Sequence, residues 1–191
     1  LYSLLKPCPI DAKSVNIIGN NLPTDESCEL TKLLLENGFT VRDVTRTKTY
    51  AEYQQMAQSV LNLSFQSAAR AGGDALCERL GQKHLYLPFS FGFEEIRNNL
   101  NRLCAEIQVP VRSWAAEEER ARKALQDAQA LIGETPVEID YTATTRPLSL
   151  ARLLTENGFS VRTVYLDAVA ADEKEDFLWL KQHLTDMMLC A

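Results

Sequence analysis

The chain has 191 residues, 46% of them hydrophobic and 24% charged, and a formal net charge of −6. This length and apolar content suit one large or two small folded domains and exclude a disordered chain. Lys and Arg are scattered rather than gathered into a basic stripe, which speaks against nucleic acid, and no apolar run reaches the roughly 18 residues of a membrane span.

No signal-peptide or lipidation pattern is present, so the expected location is cytoplasmic. A start at Leu1 and an apolar MMLCA ending suggest an excised piece of a longer protein. The five cysteines, Cys8, Cys28, Cys77, Cys104 and Cys190, include no CxxC pair. Such spacing signals neither a disulfide framework nor a self-contained metal site, and Cys104 lies in an apolar helical pattern that predicts plain core.

Val15 to Ile18 is β-branched and reads as the first strand. A helix from Thr24 or Asp25 carries Leu30, Leu33 and Leu34 and ends at Asn37-Gly38, where glycine can adopt the left-handed conformation that closes a helix. Phe39 to Val44 alternates as a second strand. Thr49 and Glu52 form a capping-box pattern opening the next helix. Val60 to Phe65 predicts a third strand and Ser67 to Leu80 a helix, although Gly72 and Gly73 each cost about 1 kcal/mol relative to Ala in a helix interior. His84 to Leu87 is a fourth strand, and Phe93 to Ile107 an amphipathic helix.

After a linker at 109–113, Trp114 to Ile132 reads as one long helix with Ala121, Ala124, Leu125, Ala128, Leu131 and Ile132 along one side. Then the pattern restarts. Val137 to Tyr141 is a strand, Pro147 to Asn157 a helix, and Phe159 to Leu166 a strand. Asp172 and Glu175 suggest a capping box before a helix through Leu184, and Met187 to Cys190 closes as a strand. Short strands alternating with helices of ten to fifteen residues predict parallel sheets. The expected fold is α/β: two consecutive Rossmann-like αβα units with parallel sheets, spanning 1–112 (four strands) and 113–191.

The restart is visible in the letters. LLLENGFTVRDV at 33–44 returns as LLTENGFSVRTV at 153–164, with nine of twelve positions identical. Each copy is a helix end, a reversing glycine and the entry to a strand, so the repeat is read as structural.

Ligands of open parallel sheets bind beyond the carboxyl ends of the strands. The segments there are Asn20-Asn21, Gln66-Ser67, the turn holding Phe89 and Ser90, and Thr142 to Arg146 with Tyr141 at the strand exit. No GxGxxG or P-loop pattern occurs. Arg146 precedes Pro147, a natural first helical residue, so a cation sits at a positive helix end, at a cost of about 0.3–1 kcal/mol unless an anion is near. An anionic cofactor, a carboxylate substrate or a partner's acidic side chain would remove that cost. A solvated surface arginine is the plainer alternative. No Ser-His-Asp, Cys-His or paired-carboxylate arrangement is readable from the spacing, and His84 and His183 are read as structural or surface residues. Catalytic residues are therefore left unassigned.

The ordered segments VNIIG (15–19), LLLENGF, SVLNLSFQS (59–67), LPFSFGFEEIRNNL (87–100) and TTRPLSLARLLTENGFSV (144–161) resemble the middle and part of the last domain of nitrogenase component 1-type proteins. That family includes the nitrogenase molybdenum-iron protein subunits, cofactor-assembly scaffolds, protochlorophyllide and chlorophyllide reductases and a reductive cyclase of nickel-tetrapyrrole synthesis. The resemblance implies αβα domains around a deep cavity that holds an iron-sulfur-type metal cluster or a tetrapyrrole. It also implies a homologous second subunit and electrons from an ATP-dependent iron-sulfur reductase.

In the nitrogenase catalytic subunit a cysteine just after the LNL strand anchors the cofactor; Gln66 stands there in this chain. The family's RP dipeptide, whose arginine approaches the cofactor, matches Arg146-Pro147. Thr142-Ala143-Thr144-Thr145 replaces the family's Gly-rich lead. The strand exits and the resemblance together point to Arg146, Gln66, Ser67, Asn20, Asn21, Phe89, Ser90, Thr144, Thr145 and Tyr141 as cofactor-facing. It implies no metal ligand or cofactor in the fragment itself, which would be inactive alone. A non-catalytic assembly scaffold or binding module is the alternative, and a periplasmic-binding-like or sugar-nucleotide domain that shares only the repeated βαβ layout a weaker third.

Overall fold

In the computed structural model, residues 2–184 and the backbone of 188–190 are described. The chain divides into two compact units, Leu1–Pro88 and Phe89–Ala191. The amphipathic helix Phe93–Glu106, assigned above to the first unit, falls in the second.

The first unit runs β1 (Asp11–Ile18), α1 (Glu29–Glu36), β2 (Thr40–Asp43), α2 (Tyr50–Gln55), β3 (Ser59–Ser64), α3 (Arg70–Leu80) and β4 (Lys83–Tyr86). Its four strands form one parallel sheet in the order β2-β1-β3-β4. Val15, Ile17, Ile18, Leu61 and Leu63 are fully or almost fully buried in it. The sheet also buries a row of amides: Asn16 donates to Asn62 Oδ1 (2.8 Å), and Asn62 donates to Gln82 Oε1 (3.1 Å). Asn16 and Gln82 both donate to the carbonyl of Met56, so these buried polar groups find partners, as burial requires.

Helix α1 begins at Glu29, four or five residues later than the expected start at Asp25 or Thr24. Asp25 accepts from the N–H of Ser27 (2.8 Å) in a preceding turn, and Cys28 takes the cap position with its thiol on the Thr31 hydroxyl (3.2 Å) rather than on a helix N–H. Half of the capping box at Thr49 is present: Glu52 N–H donates to Thr49 Oγ1 (3.2 Å), whereas the Glu52 carboxylate accepts from Lys48 N–H (2.7 Å), one residue before the cap. The costly glycine pair of α3 has a steric explanation. A Cβ on Gly73 would overlap the His84 ring, whereas one on Gly72 would meet Tyr2 at an ordinary 3.5 Å.

The second unit contains α4 (Phe93–Glu106), α5 (Ala115–Ile132), β5 (Val137–Asp140), α6 (Pro147–Glu156), β6 (Val161–Tyr165), α7 (Lys174–His183) and β7 (Met188–Cys190). Its strands are parallel in the order β5-β6-β7, and Met187, expected to open the last strand, lies outside the described residues. Ile139, Leu148, Ala151, Val161, Val164 and Leu180 form its core.

Two expectations fail here. No residue of α5 is buried, and Leu131, placed on its apolar side, is 85% exposed. The helix is held at scattered points instead, by Arg97–Glu118 (2.9 Å), Arg122 over the Phe93 ring and Gln129 on the Gly158 carbonyl. Asp172 and Glu175 do not form a capping box: α7 starts at Lys174 with Glu173 at its cap position, and the Glu173 side chain reaches back to α6.

The two copies of the repeated joint fold alike. Phe39 and Phe159 N–H each donate 3.0 Å to the carbonyl five residues earlier, and Gly38 and Gly158 take φ of +75° and +80°. Asn37 and Asn157 turn back to the carbonyls of Leu33 (2.8 Å) and Leu153 (2.7 Å). This is a Schellman closure, which satisfies helix-end carbonyls while the following Phe enters the core.

Candidate functional site

In the first unit, β1 pairs with β3 up to Ile18 and Ser64, so the loops holding Asn20-Asn21 and Gln66-Ser67 leave adjacent strands. Asn20 is half-buried and donates to the Leu22 carbonyl and to Asp43 Oδ2, both at 2.9 Å. Its own Oδ1 is buried and has no partner among the described residues. Gln66 is half-buried, and Asn21 and Ser67 are exposed. Gly19 closes the strand with φ +77°, its N–H donating to the Tyr2 hydroxyl (3.2 Å), and a Cβ there would overlap Ala69.

Asp43, at the end of β2 and 4% exposed, is the charged member of this edge. Burial alone would raise its pKa. The Thr45 hydroxyl (2.6 Å), Thr24 N–H (3.0 Å), the Asn20 amide and Thr45 N–H (2.9 Å) outweigh that and hold it below the usual carboxylate value.

The structure also assembles a constellation that the spacing hid. Ser64 Oγ lies 2.8 Å from His84 Nε2, and His84 Nδ1 lies 3.0 Å from Asp74 Oδ1. These are triad contacts, but Ser64 is fully buried, so no substrate reaches its hydroxyl. The array ties α3 to β3 and β4. Its sequence signal was Gly73, kept free of a Cβ to seat the ring.

In the second unit the site centres on Arg146, which is only 4% exposed and so is no solvated surface side chain. One terminal nitrogen donates to the Phe89 carbonyl (2.7 Å) and Glu95 (2.9 Å); the other donates to the Asp172 carbonyl (2.7 Å) and Asp176 (3.2 Å). Nε is buried without a partner among the described residues. Glu173 accepts from Leu148 N–H (2.8 Å) and Ser149 N–H (3.0 Å), filling the positive end of α6. Asp176 also takes Arg152 (3.2 Å). The chain's own acids therefore neutralise the cation at the helix start, a source the sequence reading had not weighed.

Burial raises the pKa of Glu173 against the opposing Ser149 and Leu148 N–H groups and Arg146. It raises that of Asp176 against Arg146 and Arg152. Phe89, through its carbonyl, and Thr144, whose hydroxyl accepts from Arg146 N–H (3.2 Å), belong to this cluster. Ser90 is buried and caps Gly92 N–H (2.9 Å). Tyr141 and Thr145 are exposed.

A cavity of about 640 Å³ borders the cluster; six acids (Glu94, Glu95, Glu156, Asp172, Glu175, Asp176) and three arginines (Arg122, Arg146, Arg152) line it. Sequence reasoning missed Glu95, Glu173 and Asp176. The available signal was acidic pairs at the starts of the flanking helices, Glu94-Glu95 and Glu175-Asp176.

A family model described as Nitrogenase component 1 type Oxidoreductase matches residues 3–190. The chain belongs to that family. Two solved structures are similar to it. "Nitrogenase Cp1 at pH 6.5" is 18% identical with a TM-score of 0.65, the match covering 98% of this chain and 46% of that one. "Nitrogenase Cp1 at pH 5" is 15% identical with a TM-score of 0.50, covering 93% and 40%. At such identities the likeness concerns the fold, and the chain spans less than half the length of either. A comparison with curated proteins finds no match.

Among the described residues, the strand exits present amides and hydroxyls rather than thiolates or imidazoles to a metal cluster. No group of three or more His, Cys, Asp or Glu side chains among the described residues is arranged to hold a metal ion. At the strand exit Gln66 offers an amide where iron would favour a thiolate.

Proposed function

We propose that the chain is part of a nitrogenase-like oxidoreductase component that, at full length, holds an iron-sulfur-type cluster or tetrapyrrole in an interdomain cavity. Electrons would come from an ATP-dependent reductase, with a homologous second subunit as the other partner and the cytoplasm as the compartment. The family match across residues 3–190 carries this reading. Paired exits of β1 and β3, with exposed Asn21 and Ser67 and half-buried Gln66, support a wall that contacts the ligand through polar uncharged groups rather than by metal bonds. Among the described residues no helix is long and apolar enough to cross a membrane.

A second reading, a non-catalytic assembly scaffold, draws on Gln66: a wall without a thiolate holds a cluster loosely and releases it. The deciding experiment is iron, acid-labile sulfide and tetrapyrrole analysis of the full-length protein purified without oxygen. Bound cluster or pigment that is reduced by the reductase supports the oxidoreductase. A cluster that passes to an apoprotein instead supports the scaffold, and a protein free of all three removes both.

A further inference from the structure

Helix α5 carries an apolar face that its own unit leaves open. Ala121, Ala124, Ala128, Leu131 and Ile132 are all exposed, Leu131 by 85%, and the helical repeat gathers them into one stripe. The unit holds the helix by a neighbouring side instead, through Glu118 on Arg97, Gln129 on the Gly158 carbonyl and Arg122 over the Phe93 ring. Most helical stability comes from packing an apolar face, and this 18-residue helix buries none of its residues.

The charges beside the stripe specify what covers it. Exposed Arg120, Lys123 and Asp127 lie along the flank away from the held side. Suppose a second copy of α5 is turned antiparallel about a two-fold axis between Ala124 and Leu125. Ala121 of each copy then lies opposite Ala128 of the other, and Ala124 opposite Leu125. Small side chains at these positions let the two helices approach closely. Such an axis sets the same flank of each helix against its copy, so Asp127 of each falls between Arg120 and Lys123 of the other. Parallel alignment would instead set Arg120, Lys123 and Asp127 each against its own equivalent, like charge on like. The flank is therefore complementary to itself in the antiparallel arrangement only.

We propose that α5 is a self-association surface, on which two copies of the chain pair antiparallel. Ala121, Ala124 and Ala128 form its centre, Leu131 and Ile132 cover the first turn of the other copy, and Asp127 meets Arg120 and Lys123 along the open flank. One helix strip is smaller than the roughly 1,600 Å² of a standard complex, so the dimer is weak and reversible, with a dissociation constant of about 0.1 mM. This goes beyond the function proposed above and needs no cluster, tetrapyrrole or reductase, so either claim stands without the other.

The test is sedimentation velocity of the 191-residue chain at rising concentration, with circular dichroism as the check on folding. The wild-type chain should pass from monomer to dimer. Ala124→Glu places two carboxylates together at the axis and should raise the dissociation constant at least about tenfold. Asp127→Lys should raise it about threefold or more, and so should Arg120→Glu with Lys123→Glu. All three flank substitutions together exchange the charges and should restore wild-type association. A wild-type chain that stays monomeric at about 1 mM, ten times the expected dissociation constant, would give the stripe to a different polypeptide and overturn the proposal. A dimer indifferent to Ala124→Glu, or a charge exchange that restores nothing, would overturn it as well. If Ala124→Glu loses helix signal, the flank variants decide by the same criterion.

Discussion

Asp43 in the first unit and Glu173 in the second are both almost completely buried carboxylates near a strand exit, yet their pKa values move in opposite directions. Asp43 collects hydrogen bonds from two threonine N–H groups, a hydroxyl and an amide. Glu173 receives two backbone N–H bonds and faces Arg146, which also pairs with Asp176 and Glu95. Desolvation costs both of them; the number of donors decides the sign. One edge is thus a fixed negative charge on a neutral surface, and the other an over-subscribed cation.

The largest perturbation of this contrast is Arg146→Ala. It takes one of the two arginines from buried Asp176 and the ion-pair partner from Glu95, and it removes the guanidinium donor from the Phe89 and Asp172 carbonyls. We expect a loss of about 3–5 kcal/mol by chemical denaturation. A loss below about 1 kcal/mol would place Arg146 among weak surface pairs.

Next come the two glycines of α3, which separate close packing from helix propensity in the first unit. Gly73→Ala should destabilise by about 1–3 kcal/mol because the new methyl group displaces the His84 ring from Ser64 and Asp74. Gly72→Ala, one residue away and against Tyr2 at ordinary distance, should stabilise by about 0.5–1 kcal/mol. Equal effects on the thermal midpoint would refute the steric account.

The smallest expected effects are the most diagnostic, because they differ in pH dependence. Asp43→Asn should cost about 1–3 kcal/mol at neutral pH. The lowered pKa gives stability that is present above the unfolded-state value and lost as pH falls through the folded value, so the gap to wild type closes in acid. Glu173→Gln keeps both N–H bonds and sheds the charge. The raised pKa means that the wild type is favoured below the unfolded-state value and loses that advantage as pH rises through the folded value. The variant should therefore match the wild type in acid and equal or exceed it at neutral pH. Denaturation midpoints between acid and neutral pH check both.

Local joints were legible in the letters. Gly38 and Gly158 sit after apolar helices and before β-branched alternation, and that information is all a Schellman closure needs. Thr49 with Glu52 was equally self-contained. What failed depended on partners far along the chain. Asp25 is a good cap residue, but a nearer bond to Ser27 claimed it and delayed α1. The alanine-rich side of α5 has helical periodicity without a surface to bury it. At the site, Arg146 stood out as a cation at a positive helix end. Its partners come from 51 and 30 residues away, where Glu95 and Asp176 read only as ordinary first-turn acids. His84 read as structural or surface, and its ring is held between Ser64 and Asp74. Its contact with Ser64 was hidden because β3 and β4 pair across an intervening helix.

The contrast between the two edges is tested most directly by a carboxyl carbon-13 titration of Asp43 and Glu173 in the same sample. The account predicts that Asp43 titrates below, and Glu173 above, the ordinary values for their residue types. A Glu173 that titrates at or below its ordinary value would contradict it, because the start of α6 would then already hold its anion without strain.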